Sequence, residues 1–147
     1  MKDLIIKKAG VKDISLLSKI YREEFSKSPY NEKWTEKKSA EKMKFFLKFY
    51  DLYSIFSDGK IVGFICINPK FMCPGEVAFG EEFAIKEEFQ NKGIGTFVLN
   101  EIFKIYKEKG FKRFLGIADL NSRANSLYQK LGILPSKKDI LIEKELD

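Results

Sequence analysis

Apolar residues recur along the first third of the chain in two different periods. Residues 4–6 are apolar between charged neighbours, which predicts a short strand that ends at Gly10. From Asp13, an N-cap candidate, to about Phe25 the apolar positions follow helical spacing. Thr35 is the N-cap candidate of a second helix, which carries lysines on one face and phenylalanines on the other. We therefore expect one strand followed by two amphipathic helices.

The period changes to an extended one after the second helix. Two runs rich in β-forming residues, 53–57 and 60–67, flank the dipeptide Asp58-Gly59, which is typical of a tight hairpin turn. A third extended run covers residues 76–85. These runs predict three consecutive strands, the first two of them joined as a hairpin.

The rest of the chain alternates between helical and extended patterns. The predicted elements are, in order, a helix capped by Gly110, a strand at 113–118, a short helix ending near Gly132 and a last strand at 139–143. The complete order, β-α-α-β-β-β-α-β-α-β, mixes hairpin-linked strands with helical crossovers. It predicts an α+β fold with a mixed sheet. The 147 residues contain no repeat or linker, so we expect one domain spanning residues 1–147.

Composition and charge narrow the choice of partners. The formal charge is +6, but glutamates are interleaved with the lysines, which is typical of solvated helix faces and argues against a nucleic-acid-binding arm. A modest positive excess favours a small polyanionic ligand. No run of apolar residues is long enough to cross a bilayer, and no signal peptide is recognisable. We expect a soluble, cytoplasmic protein that binds neither a membrane nor nucleic acid.

Histidine is absent, and the two cysteines are Cys66 and Cys73. A metal site and a Cys/His catalytic pair therefore lack their usual ligands, so we expect no metal. The two cysteines are expected to be reduced thiols in or near a strand.

A glycine motif lies between the strand at 76–85 and the following helix: Gln90-Asn91-Lys92-Gly93-Ile94-Gly95-Thr96. The first N–H groups of a helix lack intrahelical partners and attract anions, and glycines let a phosphate approach them. A dinucleotide fingerprint would need Gly or Ala where Val98 stands, and a P-loop would need Gly-Lys-Ser/Thr. The motif predicts a phosphate site of a different kind.

Residues 82–96 resemble the central motif of the GCN5-related N-acetyltransferase (GNAT) superfamily. That motif consists of a strand, a short acidic loop, Gln-x-x-Gly-x-Gly and a helix. The downstream segment 121–132 is similar to the family pattern Asn-x-x-Ala-x-x-Leu-Tyr-x-Lys-x-Gly. Together the matches cover about residues 76–134. Two positions depart from the common pattern: Gln90 stands where Arg is frequent, and Ile133 where Phe often follows the glycine.

The resemblance implies a mostly antiparallel central sheet, splayed between strands 4 and 5 and flanked by helices. It also implies acetyl-CoA as co-substrate. The strand end at 83–85 would offer backbone groups to the pantetheine arm, residues 90–96 would bind the pyrophosphate, and Tyr128 would protonate the departing thiolate. The implied cofactor-binding residues are Phe83, Ala84, Ile85, Gln90, Asn91, Lys92, Gly93, Ile94, Gly95, Thr96, Asn121 and Tyr128.

Acetyl transfer to an amine also needs a base. Without histidine, the candidates are Glu76, Glu81 and Glu82. Residues two apart share a strand face, so Glu81 and Glu82 would point to opposite faces unless a bulge, common in this family, resets the alternation. We expect Glu81 and Glu82 to act jointly, with the proton relayed through water. The alternative that both are surface charges stays open at this point.

The acceptor pocket is expected between the first two helices, where Phe25, Tyr30 and Trp34 cluster. The segment 28–34 loosely resembles one found in aminoglycoside 6′-type acetyltransferases. Aromatic rings together with carboxylates suit a small cationic amine, polyamine-like or aminoglycoside-like. The alternative, equally open, is that these three rings only complete the hydrophobic core. A protein lysine or N-terminal acceptor, a non-catalytic acyl-CoA-binding module and a homodimer all remain open.

Overall fold

The computed structural model describes residues 3–146 as a five-stranded sheet with helices on both faces. The elements are, in chain order, β1 (Leu4–Lys8), α1 (Ile14–Phe25), α2 (Glu36–Phe49), β2 (Asp51–Ser57), β3 (Lys60–Asn68), β4 (Val77–Ile85), α3 (Ile94–Glu108), β5 (Arg113–Gly116) and α4 (Arg123–Lys130). Short 3-10 turns precede α1 and follow β4.

The strands lie in the order β1-β2-β3-β4-β5, and every pair is antiparallel except β4 with β5. This confirms the predicted α+β fold with a mixed, mostly antiparallel sheet. β5 pairs with β4 only along Val77–Gly80. Because β4 continues to Ile85, its second half diverges from β5, and the predicted splay between strands 4 and 5 is present.

Two apolar cores lie on opposite faces of the sheet. The pleat of β3 sends Phe64 to the core under α1 and α2, and the next residue, Ile65, to the core under α3. Tyr21 and Leu99 are among the largest fully buried side chains of these two cores. Each fully buried side chain of this size contributes about 1.5–3 kcal/mol, so the cores fix the helices against the sheet.

The two predicted N-caps have different outcomes. Thr35 caps α2, since its hydroxyl accepts the N–H of Lys38 at 3.1 Å, as predicted. Asp13 directly precedes α1, but its side chain accepts no helix N–H. Its carboxylate accepts the N–H of Gly10 at 2.9 Å instead. The reason is that a 3-10 turn runs directly into α1, so Asp13 already has helical dihedral angles.

The predicted last strand at 139–143 is wrong. Residues 134–146, called here the C-terminal segment, form neither helix nor strand, and every one of them is exposed. A β-rich pattern forms a strand only when a neighbouring strand pairs with it, and within residues 3–146 the C-terminal segment has no such neighbour.

None of the helices between residues 3 and 146 is long and apolar enough to cross a membrane. Cys66 is buried in β3 and Cys73 is exposed in the following loop; both are free thiols.

Candidate functional site

The divergence of β4 from β5 opens a groove of about 800 Å³. Its walls are the end of β4, the loop before α3, the face of α4 and the end of α1. Most of the predicted cofactor residues line it: Phe83, Ala84, Ile85, Gln90, Asn91, Gly93, Ile94, Gly95, Thr96 and Asn121. Lys92 does not line the groove; its ammonium lies 5.7 Å from the ring centroid of Phe89.

The loop that leads into α3 is curled. Asn91 and Gly93 both have left-handed dihedral angles, with φ of 59° and 82°. The N–H of Phe97 bonds back to the Gly93 carbonyl at 3.1 Å, so the N–H groups that precede it in α3 have no intrahelical acceptor. A Cβ placed at Gly93 would meet no atom within 4 Å. Open space thus lies in front of free N–H groups at a helix N-terminus, which fits a diphosphate.

Gly95 serves a different purpose from the one the sequence suggested. A Cβ at this position would lie 2.7 Å from a methyl carbon of Leu127. The glycine therefore lets α3 and α4 approach each other closely. Of the two glycines, only Gly93 is explained by the need to leave room for an anion before α3.

The side chain of Gln90 ties three elements together. Its amide nitrogen donates to Glu24 Oε1 of α1 at 3.0 Å and to the Ile85 carbonyl of β4 at 2.7 Å. Its amide oxygen accepts from Arg123 of α4 at 3.1 Å. Gln90 thus links α1, β4 and α4 across the groove, and its own backbone N–H is bonded to the Glu87 carbonyl at 3.1 Å.

Three cations on the groove wall were missed in the sequence: Lys27, Arg123 and Lys130. The spacing of seven residues puts Arg123 and Lys130 on one face of α4, a signal that could have been found once the helix was placed beside the motif. Lys27 bridges Glu24 and Glu87, at 3.2 Å to each. The groove therefore carries three basic side chains beside two carboxylates, Glu24 and Glu87, and Lys27 pairs with both carboxylates.

A second, inner cavity of about 50 Å³ adjoins the groove. Phe25, Tyr30, Phe83 and Ala124 line both, so the two spaces share a wall. The polar side chains of the inner cavity are the carboxylates of Glu81, Glu82 and Asp119 and the hydroxyls of Tyr30 and Tyr128, and no lysine or arginine lines it. A groove with three basic side chains and two carboxylates thus leads to a cavity whose only charged side chains are carboxylates.

A β-bulge brings both glutamates to this cavity. Cys66 pairs with Glu82 while the next residue, Ile67, pairs with Gly80, so Glu81 is the extra residue in β4. A bulge resets the alternation of side chains. Adjacent carboxylates that a regular strand would send to opposite faces therefore line one space, as the sequence analysis allowed.

Glu82 has an unusual electrostatic environment. Burial raises its pKa to about 7, helped by the charges of Glu32 and Glu81 and opposed by Lys42 and by a hydrogen bond from Tyr21. The Tyr21 hydroxyl donates to Glu82 Oε2. Burial beside this carboxylate raises the pKa of Tyr21, so the hydroxyl keeps its proton and stays a donor. Near neutral pH, Glu82 can therefore both hold and release a proton.

Burial also raises the pKa of Glu81, with Lys42 acting in the opposite direction. Burial affects the pKa of Tyr128 as well. Its burial, together with the neighbouring Tyr30 and Glu82, raises its pKa to about 12. The hydroxyl of Tyr128 is therefore protonated at neutral pH and can donate a proton into the cavity.

Besides Lys92, two residues considered in the sequence analysis, Trp34 and Glu76, lie outside both cavities. Trp34 packs edge-on against the Tyr21 ring, with centroids 4.5 Å apart, and its indole N–H donates to Glu32 at 3.0 Å. It supports Tyr21 from behind instead of lining the pocket. Glu76 is exposed just before β4 begins, several residues away from the bulge.

Tyr21 lies on the buried, apolar face of α1. Its contact with Glu82 leads to a first prediction: Tyr21→Phe should raise the pKa of Glu82 further, because the hydrogen bond it removes favours the carboxylate. Carbon-13 NMR titration of the glutamate carboxyl groups would measure this shift. Tyr50→Phe, which removes a hydroxyl outside the two cavities, is the matched control. An unchanged Glu82 titration in Tyr21→Phe would contradict the prediction.

Comparison with known proteins agrees with this geometry. The model of the acetyltransferase (GNAT) family matches residues 14–133. A possible acetyltransferase from Clostridium difficile 630 superposes with a TM-score of 0.80 at 15% identity, over 98% of this chain and 99% of that one. The aminoglycoside N-acetyltransferase AAC(6′)-Iy, solved with CoA, gives 0.75 at 14%, over 99% and 97%.

A third structure broadens the range of acceptors among the relatives. The ribosomal-protein-alanine N-acetyltransferase from Brucella melitensis biovar Abortus 2308 gives a TM-score of 0.74 at 11% identity, over 97% of this chain and all of that one. At these identities the superpositions show the shared fold. The family match shows more: the chain belongs to the acetyltransferase (GNAT) family, a class of N-acetyltransferases.

Proposed function

We propose that this protein transfers the acetyl group of acetyl-CoA directly to a primary amine of a small cationic molecule, polyamine-like or aminoglycoside-like. The observation that carries the proposal is the division of charge within the site. The groove offers free helix N–H groups, and its three basic side chains outnumber its two carboxylates, Glu24 and Glu87, which suits the anionic donor. The adjoining cavity offers only carboxylates as charged groups, which suits a cationic acceptor.

The groove residues hold the donor in this proposal. Residues 91–96 bind its pyrophosphate through backbone N–H groups, and Gln90 holds the wall of the groove beside it. The β4 residues 83–85 face its pantetheine arm where β5 has diverged. Asn121 contacts it from the opposite wall. When bound, acetyl-CoA supplies a thioester whose carbonyl carbon an amine can attack.

Glu82 is proposed as the base, with Glu81 beside it. A base is most effective when its pKa lies near the working pH, and burial places Glu82 there. Glu82 takes the proton from the ammonium of the acceptor, directly or through a water molecule that Glu81 also holds. The hydrogen bond from Tyr21 orients the Glu82 carboxylate for this step.

Tyr128 is proposed as the acid. It shares the inner cavity with Glu82, and its hydroxyl is protonated at neutral pH. As the C–N bond forms and the C–S bond breaks, Tyr128 donates that proton to the departing sulfur. The nitrogen loses two protons in all: one passes to Glu82 before the bond forms and on to solvent, and the second, released once the bond has formed, restores the Tyr128 hydroxyl.

Phe25 and Tyr30 form the wall between groove and cavity, and we propose that they contact the acceptor. Their rings lie 4.8 Å apart between centroids. Aromatic faces beside carboxylates attract ammonium groups. Trp34 enters this proposal only indirectly, as the support of Tyr21 and Glu32.

A protein N-terminal amine is the second candidate acceptor. It is favoured by the likeness to the ribosomal-protein-alanine N-acetyltransferase. Mass spectrometry of products from a mixed panel of polyamines, aminoglycosides and alanine-led peptides would separate the two. We expect the cationic small molecules to be acetylated with the higher kcat/KM. A preference for the peptides would replace the small acceptor with a protein one.

Tyr128→Phe tests the acid. We expect kcat to fall about 100-fold, a typical contribution of general acid catalysis, while acetyl-CoA affinity stays the same, because the ring still fills its place. Steady-state kinetics and calorimetry together measure both quantities. Tyr50→Phe serves again as the control for loss of a hydroxyl. Wild-type turnover in Tyr128→Phe would exclude Tyr128 from the acid role.

A further inference from the structure

The inner cavity connects the two cores of the protein. Phe25, on its lining, belongs to the core under α1 and α2, whereas Ile65, Phe83 and Phe114 pack in the core under α3. Glu82 lies toward the first of these cores, because its carboxylate accepts the hydroxyl of a tyrosine of α1. The end of the cavity under α3 therefore offers hydrocarbon surface, and the end under α1 offers a carboxylate.

The ring of Phe114 closes the end under α3. Phe114 pairs with Ala78 of β4, and its ring reaches along that strand to Gly80, where a Cβ would lie 2.8 Å from the ring tip, Cζ. From the other side the ring meets that of Phe103 in α3 edge to face, with centroids 5.3 Å apart. The lack of a side chain at Gly80 thus makes room for the ring, and Phe103 holds the ring in place.

The space in front of this ring is small. The whole inner cavity measures about 50 Å³. One water molecule takes roughly 30 Å³, and a methyl group is of similar size, so the cavity has room for about two such groups. An acetyl group has two beyond the sulfur, a carbonyl and a methyl. A butanoyl group has two methylenes more.

We propose that Phe114 and Gly80 together set the length of the acyl group that the protein accepts, so that acetyl fits and chains of four carbons do not. The inference rests on the proposed transfer, because Glu82 and Tyr128 can act on the thioester only if it lies in the inner cavity. The sulfur then comes from the groove and the amine from the carboxylates. Only the end at Phe114 is left for the methyl group.

The expected selectivity follows from the fixed position of the ring. In a well-packed pocket one extra methylene changes the preference between two substrates by roughly 10- to 200-fold. Phe114 cannot move aside easily, because Gly80 and Phe103 confine its ring on two sides. Each methylene beyond acetyl therefore weakens the fit.

Calorimetry with two thioethers, S-ethyl-coenzyme A and S-butyl-coenzyme A, tests the length limit. They have the chain lengths of acetyl and butanoyl but no transferable group, so the measurement needs no acceptor. We expect wild type to bind the butyl compound at least about 10-fold more weakly than the ethyl compound. Phe114→Leu removes the ring tip but keeps bulk beside Phe103, and it should bind the two compounds equally.

A second substitution distinguishes the ring tip from a general loosening of the core. Gly80→Ala, added to Phe114→Leu, places a methyl group close to the position that the ring tip has left. The double variant should therefore discriminate against the butyl compound again. Phe111→Leu is the matched control: Phe111 packs in the same core, against Tyr106 at 5.2 Å between ring centroids, but lines neither cavity. It should keep the wild-type ratio.

Three results would overturn the proposal. They are equal binding of the two thioethers by wild type, an unchanged ratio in Phe114→Leu, and a double variant that still binds both compounds equally. Coenzyme A without an alkyl group should bind all variants alike, which shows that they are folded, and the wild-type ratio needs no variant at all. A wild type that discriminates between the thioethers but transfers acetyl to no amine would refute the proposed transfer and leave the length limit standing.

Discussion

Replacement of Gly93 by Asp is expected to abolish acetyl-CoA binding. Gly93 has a φ of 82° and faces open space directly before the free N–H groups of α3. A carboxylate there would occupy the space of the pyrophosphate, repel it and pair with the same N–H groups. Loss of charge-assisted hydrogen bonds together with repulsion corresponds to at least about 100-fold weaker binding. Isothermal titration calorimetry with acetyl-CoA measures the loss.

The chain provides a closely matched control in Gly75. It has a φ of 86°, and a Cβ there also meets nothing within 4 Å, but it lies in the loop before β4 and lines neither cavity. Gly75→Asp therefore introduces the same backbone strain and the same charge away from the groove. We expect it to bind acetyl-CoA like wild type. Equal loss of binding in both variants would mean that backbone strain explains the effect, and not the loss of the anion site before α3.

Replacement of Glu82 by Gln is expected to lower kcat/KM about 1000-fold at pH 7.5, within the usual range for loss of a general base. The pH profile gives the sharper readout. Because the base acts as the carboxylate, wild-type kcat/KM should rise with pH through a pKa of about 7 and level off above it. In Glu82→Gln this rise should disappear. An unchanged acid limb in the variant would assign the titration to another group.

Two further substitutions separate Glu82 from its neighbours. Glu81→Gln should lower the rate less than Glu82→Gln, because burial acts less strongly on Glu81. Glu76→Gln removes an exposed carboxylate that lines neither cavity and should leave the rate unchanged. A larger effect from Glu76→Gln than from Glu82→Gln would contradict the choice of base.

Much of the site could be predicted because its chemistry depends on local sequence. The glycine motif follows a strand and opens a helix, and this context alone predicts free N–H groups with room for an anion. The motif does not show that its two glycines have different roles, Gly93 leaving room for an anion and Gly95 allowing two helices to pack closely. The role of Gly95 depends on Leu127, a residue of another helix, and only the packing of α3 against α4 shows it.

Features that depend on long-range contacts could not be predicted from the sequence. Tyr21 fits the apolar pattern of α1 as well as a phenylalanine would, and its hydroxyl matters only because Glu82 lies beside it in the fold. The bulge at Glu81 is a mismatch of register between two strands, which neither strand shows alone. The strand predicted at 139–143 is absent for the same reason: a strand needs a paired neighbour, and within residues 3–146 none lies beside this run.

Release of free thiol from acetyl-CoA in the presence of an amine panel is the direct measurement of acetyl transfer by this protein. The wild-type protein should release coenzyme A in an amine-dependent reaction, fastest with small cationic amines, and Gly93→Asp should release none above background. Acetyl-CoA binding without thiol release for any amine would make the protein a non-catalytic acyl-CoA-binding module. Absence of both binding and release would exclude both the acetyl-CoA site and the acetyl transfer proposed for this protein.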